Sequence, residues 1–178
     1  AAFDAFNSGD CLRALPVLNK LASAGHSKSL HALGVIYFQG VGVARDLSTA
    51  LDFFAEAAEA GVVESQYILA QMRKNGWGGG RDYREAAKWY TAAAEAGKIE
   101  ALFDLGQMHR EGLGVRVSMT AAMNYYLRAA EAGEPRAQYS LGLIYLRGDG
   151  GVKQDPVLAE SWARKSAEQG KPDGECLM

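Results

Sequence analysis

His26, His31 and His109 are the three histidines of the chain, and Cys11 and Cys176 its two cysteines. Acid–base, nucleophilic or metal chemistry would have to be assembled from these residues and from its carboxylates, and their spacing does not assemble it. No histidine stands with a serine or cysteine nucleophile in a recognisable order. His26 and His31 are five residues apart, off the i, i+4 face of a helix, and no His/Cys cluster has zinc spacing. Glu56/Glu59 and Glu131/Glu134 read as surface charges near helix ends rather than a general acid with its base. The glycine pairs Gly40-x-Gly42 and Gly112-x-Gly114 lack the preceding strand that a nucleotide-binding loop requires. The chain therefore reads as a non-enzyme, with no cofactor and no metal; a hydrolase working through His109 is the least favoured function. What remains is the chemistry of recognition: aromatic rings, amides and cations on regularly spaced helices.

A period positions these side chains. Ala-Gly recurs at 24–25, 60–61, 96–97 and 132–133, 36 residues apart each time, and a further glycine closes each block at Gly40, Gly76, Gly112 and Gly148. A fixed period in the thirties marks a helical repeat array, whose extended surface serves binding. In the block 25–60, apolar Leu30, Leu33, Ile36 and Tyr37 share one face of a helix running from Ser27 to Gln39. Gly40-Val41-Gly42-Val43 stops it. Asp46 is the expected N-cap of a second helix, Leu47 to Ala60, burying Ala50, Phe53, Phe54 and Ala57. Pro135 and Pro156 fall in first turns, where the missing N–H costs nothing. Asp82-Tyr83-Arg84-Glu85 has capping-box spacing. Pro16 alone violates the scheme and predicts a kink or a late start in its helix.

The expected fold is all-α, a right-handed superhelical solenoid of antiparallel helix pairs. A half-repeat at 1–24 precedes four units at 25–60, 61–96, 97–132 and 133–169, and a partial repeat occupies 170–178. The 178 residues carry 19 basic and 21 acidic side chains, a net charge of −2, which gives no footprint for nucleic acid. No apolar run is long enough to span a bilayer, so membrane insertion is not expected. No signal peptide is expected within these residues, and an Ala-Ala-Phe start suggests a processed or trimmed chain. Cys11 and Cys176 are expected at opposite ends of the array, so a disulfide between them is not expected.

The string Ala137-Gln138-Tyr139-Ser140-Leu141-Gly142-Leu143-Ile144-Tyr145, followed by Gly148, Asp155 and Ala159 to Trp162, resembles a Sel-one-like repeat, the 36-residue branch of the tetratricopeptide superfamily. Ala86-Ala87-Lys88-Trp89-Tyr90 with Ala93 to Gly97 matches the second-helix half of that motif. The resemblance covers residues 10–170. It implies a bacterial adaptor that holds protein or peptide partners, with a periplasmic or secreted location slightly favoured over a cytoplasmic one. The family's disulfide-stapled subgroup is not matched, nor is the lysine–asparagine clamp of chaperone-binding tetratricopeptide domains.

In superhelices of this type the first helices line the concave face, so residues 36 apart form stripes along it. His31, Tyr67, Phe103 and Tyr139 make one stripe, an aromatic ladder for an extended peptide or, on the structural reading, a set of packing residues. Lys74 and Arg110 are cations in a second stripe, between Phe38 and Leu146. The tyrosine of Tyr37 and Tyr145 becomes Arg73 and His109 in the central units. Arginine at an apolar position needs a carboxylate or exposure. Trp77, in the loop Gly76 to Gly80, either packs down in place of the valine seen at Val43, Val115 and Val152 or projects as a contact. With Gln71 and Gln107 these residues complete the candidate partner-binding set. The competing reading is a structural module that dimerises through its array ends, using Cys176–Met178 and the exposed side of helix 156–169.

Overall fold

The computed structural model describes residues 11–169, the first three by their backbone alone. The expectations for residues 1–10 and for 170–178, including Cys176 and Pro172, lie outside the described residues, as does the side chain of Cys11. Among the described residues there are nine α-helices and no strand: α1 Cys11–Ser23, α2 Ser27–Gln39, α3 Leu47–Glu59, α4 Val63–Asn75, α5 Tyr83–Glu95, α6 Ile99–Glu111, α7 Met119–Glu131, α8 Pro135–Arg147 and α9 Pro156–Glu168. A single 3-10 turn, Asp149–Gly151, precedes α9. The chain divides into two compact units, 1–96 and 97–178.

Each unit is built from helix hairpins. α2 packs on α3 and α4 on α5 in the first unit, α6 on α7 and α8 on α9 in the second; α3–α4 and α7–α8 join successive hairpins. The predicted glycines end the first helix of each pair in left-handed conformations, φ 74° at Gly40, 76° at Gly76, 73° at Gly112 and 73° at Gly148. Asp46 caps α3 by accepting from the backbone N–H groups of Ser48 and Thr49. A hydrogen bond from Thr49 Oγ1, with these two from the backbone, holds its carboxyl below the usual carboxylate range. Pro135 and Pro156 occupy first turns, as expected.

The structure amends four local expectations. Only half of the capping box at Asp82 forms. The Asp82 side chain accepts from Arg84 and Glu85 N–H, but its own N–H donates to the Arg73 carbonyl, and Glu85 turns to the Trp89 indole instead. The same backbone link ties Asp46 to Tyr37, Ser118 to His109 and Asp155 to Tyr145, so each loop is closed across its hairpin. α1 runs as one helix through Pro16, without the late start. α3 ends at Glu59, with Ala60 as its cap, and Phe53 is half-buried while Phe54 fills the core.

A recurrent packing rule sets the interhelix spacing. Gly34 meets the Phe54 ring and Gly106 the Tyr126 ring so closely that an added Cβ would stand 2.8 and 2.6 Å from ring carbons. The small residue in the first helix lets the aromatic of the second lie against its backbone.

Candidate functional site

Three of the four rings of the expected aromatic ladder lie against an aromatic of their own hairpin. His31 lies 5.7 Å from Phe54, Tyr67 5.7 Å from Tyr90 and Phe103 5.7 Å from Tyr126, centroid to centroid and all tilted. Phe103 is buried; His31 and Tyr67 are half-buried. His31 Nδ1 is 2.8 Å from the hydroxyl of Ser65, which is fully buried. Burial holds the His31 pKa below its ordinary 6.5, partly opposed by the charge of Glu64.

The ladder changes character in the last hairpin. Where the other three carry Phe54, Tyr90 and Tyr126, α9 carries Ala163, so among the described residues Tyr139 stacks on no ring. A groove of about 260 Å³ opens there in the second unit, lined by Phe103, Gln107, Pro135, Arg136, Tyr139, Ser140 and Ser166. Phe103 forms its floor. The Arg136 guanidinium lies 4.5 Å above that ring and 2.6 Å from the Glu134 carboxylate, which also accepts from the Arg136 N–H. Ser166 is held by the Pro135 carbonyl at 3.1 Å. The groove therefore offers an amide, a phenol, a hydroxyl and a balanced cation above an aromatic surface. That chemistry suits a peptide main chain and a modest side chain; a bare anion would meet a charge already matched.

Of the candidate residues, Gln107, Phe103 and Tyr139 converge in this groove. Sequence reasoning missed Arg136, Pro135, Ser140 and Ser166. Arg136, Tyr139 and Ser140 share one face at i, i+3 and i+4, a signal that a comparison of columns 36 apart overlooks. The central departures serve different ends. His109 stacks on Tyr125 at 5.4 Å and 19°, as Tyr37 stacks on Phe53 at 5.7 Å and 19°, so one ring replaces another. Lys74 lies 5.9 Å over Tyr90, Arg110 pairs with Glu111 at 3.1 Å, and Gln71 is half-buried. Trp77 combines the two readings offered for it: it packs on Phe38 with centroids 5.9 Å apart and stays 43% exposed. The buried Arg73 Nε has no hydrogen-bond partner among the described residues.

On the outer side of α9, exposed Val157 and Leu158 stand beside a Glu160–Arg164 ion pair of 2.7 Å. Among the described residues, no three His, Cys, Asp or Glu converge as a metal site, and no helix is long and apolar enough to cross a membrane.

The Sel1 repeat matches the chain four times, at residues 27–62, 63–98, 99–134 and 135–171. The chain belongs to the Sel1 repeat family, with the all-α helical-repeat fold of a protein-interaction scaffold. It is similar to a Sel1 repeat protein from Oxalobacter formigenes, with a TM-score of 0.88 and 29% identity over 98% of this chain and 71% of that one. A protective antigen of uropathogenic Escherichia coli strains, displaying an SLR fold, is 40% identical, with a TM-score of 0.82 over 88% of this chain; the match spans 33% of the antigen's length. An immunity protein from Pseudomonas aeruginosa is 25% identical, with a TM-score of 0.57 over 91% of this chain and 58% of that one. These neighbours suggest a bacterial origin. A comparison with curated proteins finds no match.

Proposed function

We propose that the chain is a non-catalytic adaptor that holds an extended segment of a partner protein, and that the groove between α6, α8 and α9 is where the segment seats. The groove carries this reading: it is lined by an amide, a phenol and hydroxyls beside an aromatic ring, groups suited to recognising a peptide. Membership of a repeat family whose scaffolds serve protein interaction supports it at a coarser level. Gln107 supplies donors and an acceptor for a main-chain amide, and Tyr139 supplies area at low entropic cost. The double variant Gln107→Ala, Tyr139→Ala should keep its circular dichroism and melting temperature. It should bind peptides selected on the wild-type chain at least about ten-fold more weakly. Undiminished affinity in a folded double variant would place recognition elsewhere on the molecule.

A further inference from the structure

The loop edge of the first unit carries a second feature with a recognisable ligand chemistry. Trp77 is 43% exposed and Val41 38%, although both follow helix-ending glycines where a polar residue would do. Trp77 is nevertheless fixed. Its ring stands on Phe38, and the next residue, Gly78, lies so close to the Leu47 carbonyl that an added Cβ would be 2.0 Å from the oxygen. A tryptophan held rigid and half in water is the residue type that anchors interfaces.

Three arginines come from the helix ends and loops that flank this edge. The Arg45 guanidinium lies 5.7 Å over the Phe38 ring, its Nε donating to the Phe38 carbonyl at 3.0 Å. Arg81 lies 5.7 Å over Tyr83 and donates to its hydroxyl at 3.2 Å. Arg73 brings Nη1 to 3.8 Å from where a Cβ on Gly79 would stand, while its Nε is buried without an acceptor. Among the described residues, none of the three is ion-paired with a carboxylate. The neighbouring acids do not supply one, because Asp46 and Asp82 are engaged as helix caps. Three guanidinium groups without a carboxylate partner among the described residues, on the same edge as a half-exposed apolar anchor, define a complementary ligand: an apolar side chain flanked by carboxylates.

We infer that the Phe38–Trp77 edge is a docking site for an acidic segment of a partner protein that inserts an apolar anchor beside Trp77, independently of the groove in the second unit. The overall charge of −2 argues for an acidic protein segment over nucleic acid, whose binding draws on a net basic surface.

The test uses the whole chain and a short fluorescein-labelled peptide carrying a Leu-Trp pair between runs of aspartate, read by anisotropy. Matched peptides replace the aspartates by lysine or the Leu-Trp pair by serine, and a labelled oligouridylate serves as a fourth probe. Saturable binding of the acidic peptide alone is expected, weakening as salt rises. It should fall at least about ten-fold in Trp77→Ala and several-fold in Arg45→Glu, Arg81→Glu. The charge-reversal variant alters only exposed side chains, so it reads the site even if Trp77→Ala loses stability. The Gln107→Ala, Tyr139→Ala variant should bind this peptide like wild type, which separates failure of this site from failure of the groove. No saturable binding of the acidic peptide, equal binding of the lysine peptide, unchanged affinity in the folded variants, or tighter binding of oligouridylate would each overturn the proposal.

Discussion

Tyr126 and His31 show how single side chains in this scaffold trade polarity against packing. The Tyr126 ring is fully buried against Gly106, and its hydroxyl has no hydrogen-bond partner among the described residues. Burial pushes its pKa up to about 12, so the hydroxyl is neutral at any physiological pH. An unsatisfied buried hydroxyl costs about 1–3 kcal/mol, so Tyr126→Phe should leave stability unchanged or raise it by about 1 kcal/mol in denaturant melts. A clear loss would mean that the hydroxyl has a partner in solution. His31 gives a pH signature. Its folded pKa lies below the 6.5 of the unfolded chain, so the unfolded state binds more protons between the two values. Its contribution to stability is full above pH 6.5 and declines as pH falls through the depressed folded value. His31→Gln should flatten the stability profile across that window, and the His31 proton titration followed by NMR should centre below 6.5. A midpoint above 6.5 would reverse the sign.

At the scale of elements, the helices follow from local signals and the loops from contacts between neighbouring hairpins. Gly78 and Gly150, 72 residues apart, each sit on the first residue of an earlier second helix, Leu47 and Met119. Gly78 has φ 76° as well as its backbone approach to Leu47. Gly78→Ala therefore combines left-handed strain with a collision that no side-chain movement relieves. It should cost about 2 kcal/mol or more, a fall in Tm of roughly 4–8 °C. Gly80→Ala is the control, since a Cβ at Gly80 meets nothing within 4 Å. If both variants melt alike, the Leu47 contact does not hold the loop. The loop Gly76 to Gly80 left open whether Trp77 packs down or projects; the backbone facing Gly78 lies in another part of the chain.

At the scale of the molecule, the chain falls into two compact units, each with its own hairpin-to-hairpin packing. In a repeat protein, stability is approximately a sum over repeats and the interfaces between neighbours. A fragment of residues 1–96 should therefore keep helical circular dichroism and a cooperative melt, at a lower temperature than the full chain. A fragment without a cooperative transition would show that the first unit depends on the second.

The sequence by itself determined the helices, their ends and the family, because these rest on short-range chemistry repeated every 36 residues: glycine where a helix must stop, Asp46 where one must start, apolar residues on one helical face. It also picked out Tyr139, Gln107, Trp77 and Arg73 as places to look. Only the tertiary structure decided what those places are. Phe103 and Tyr139 share a column in the sequence, yet Phe103 is buried against Tyr126 while Tyr139, opposite Ala163, is half-buried and lines the groove. Arg136 and Ser166 entered the groove from neighbouring helices, and Arg45, Arg73 and Arg81 came to the edge that carries Trp77 from two successive repeats. A periodic sequence specifies each repeat through its own neighbours along the chain; a site is made between repeats, where the relevant distance is in space.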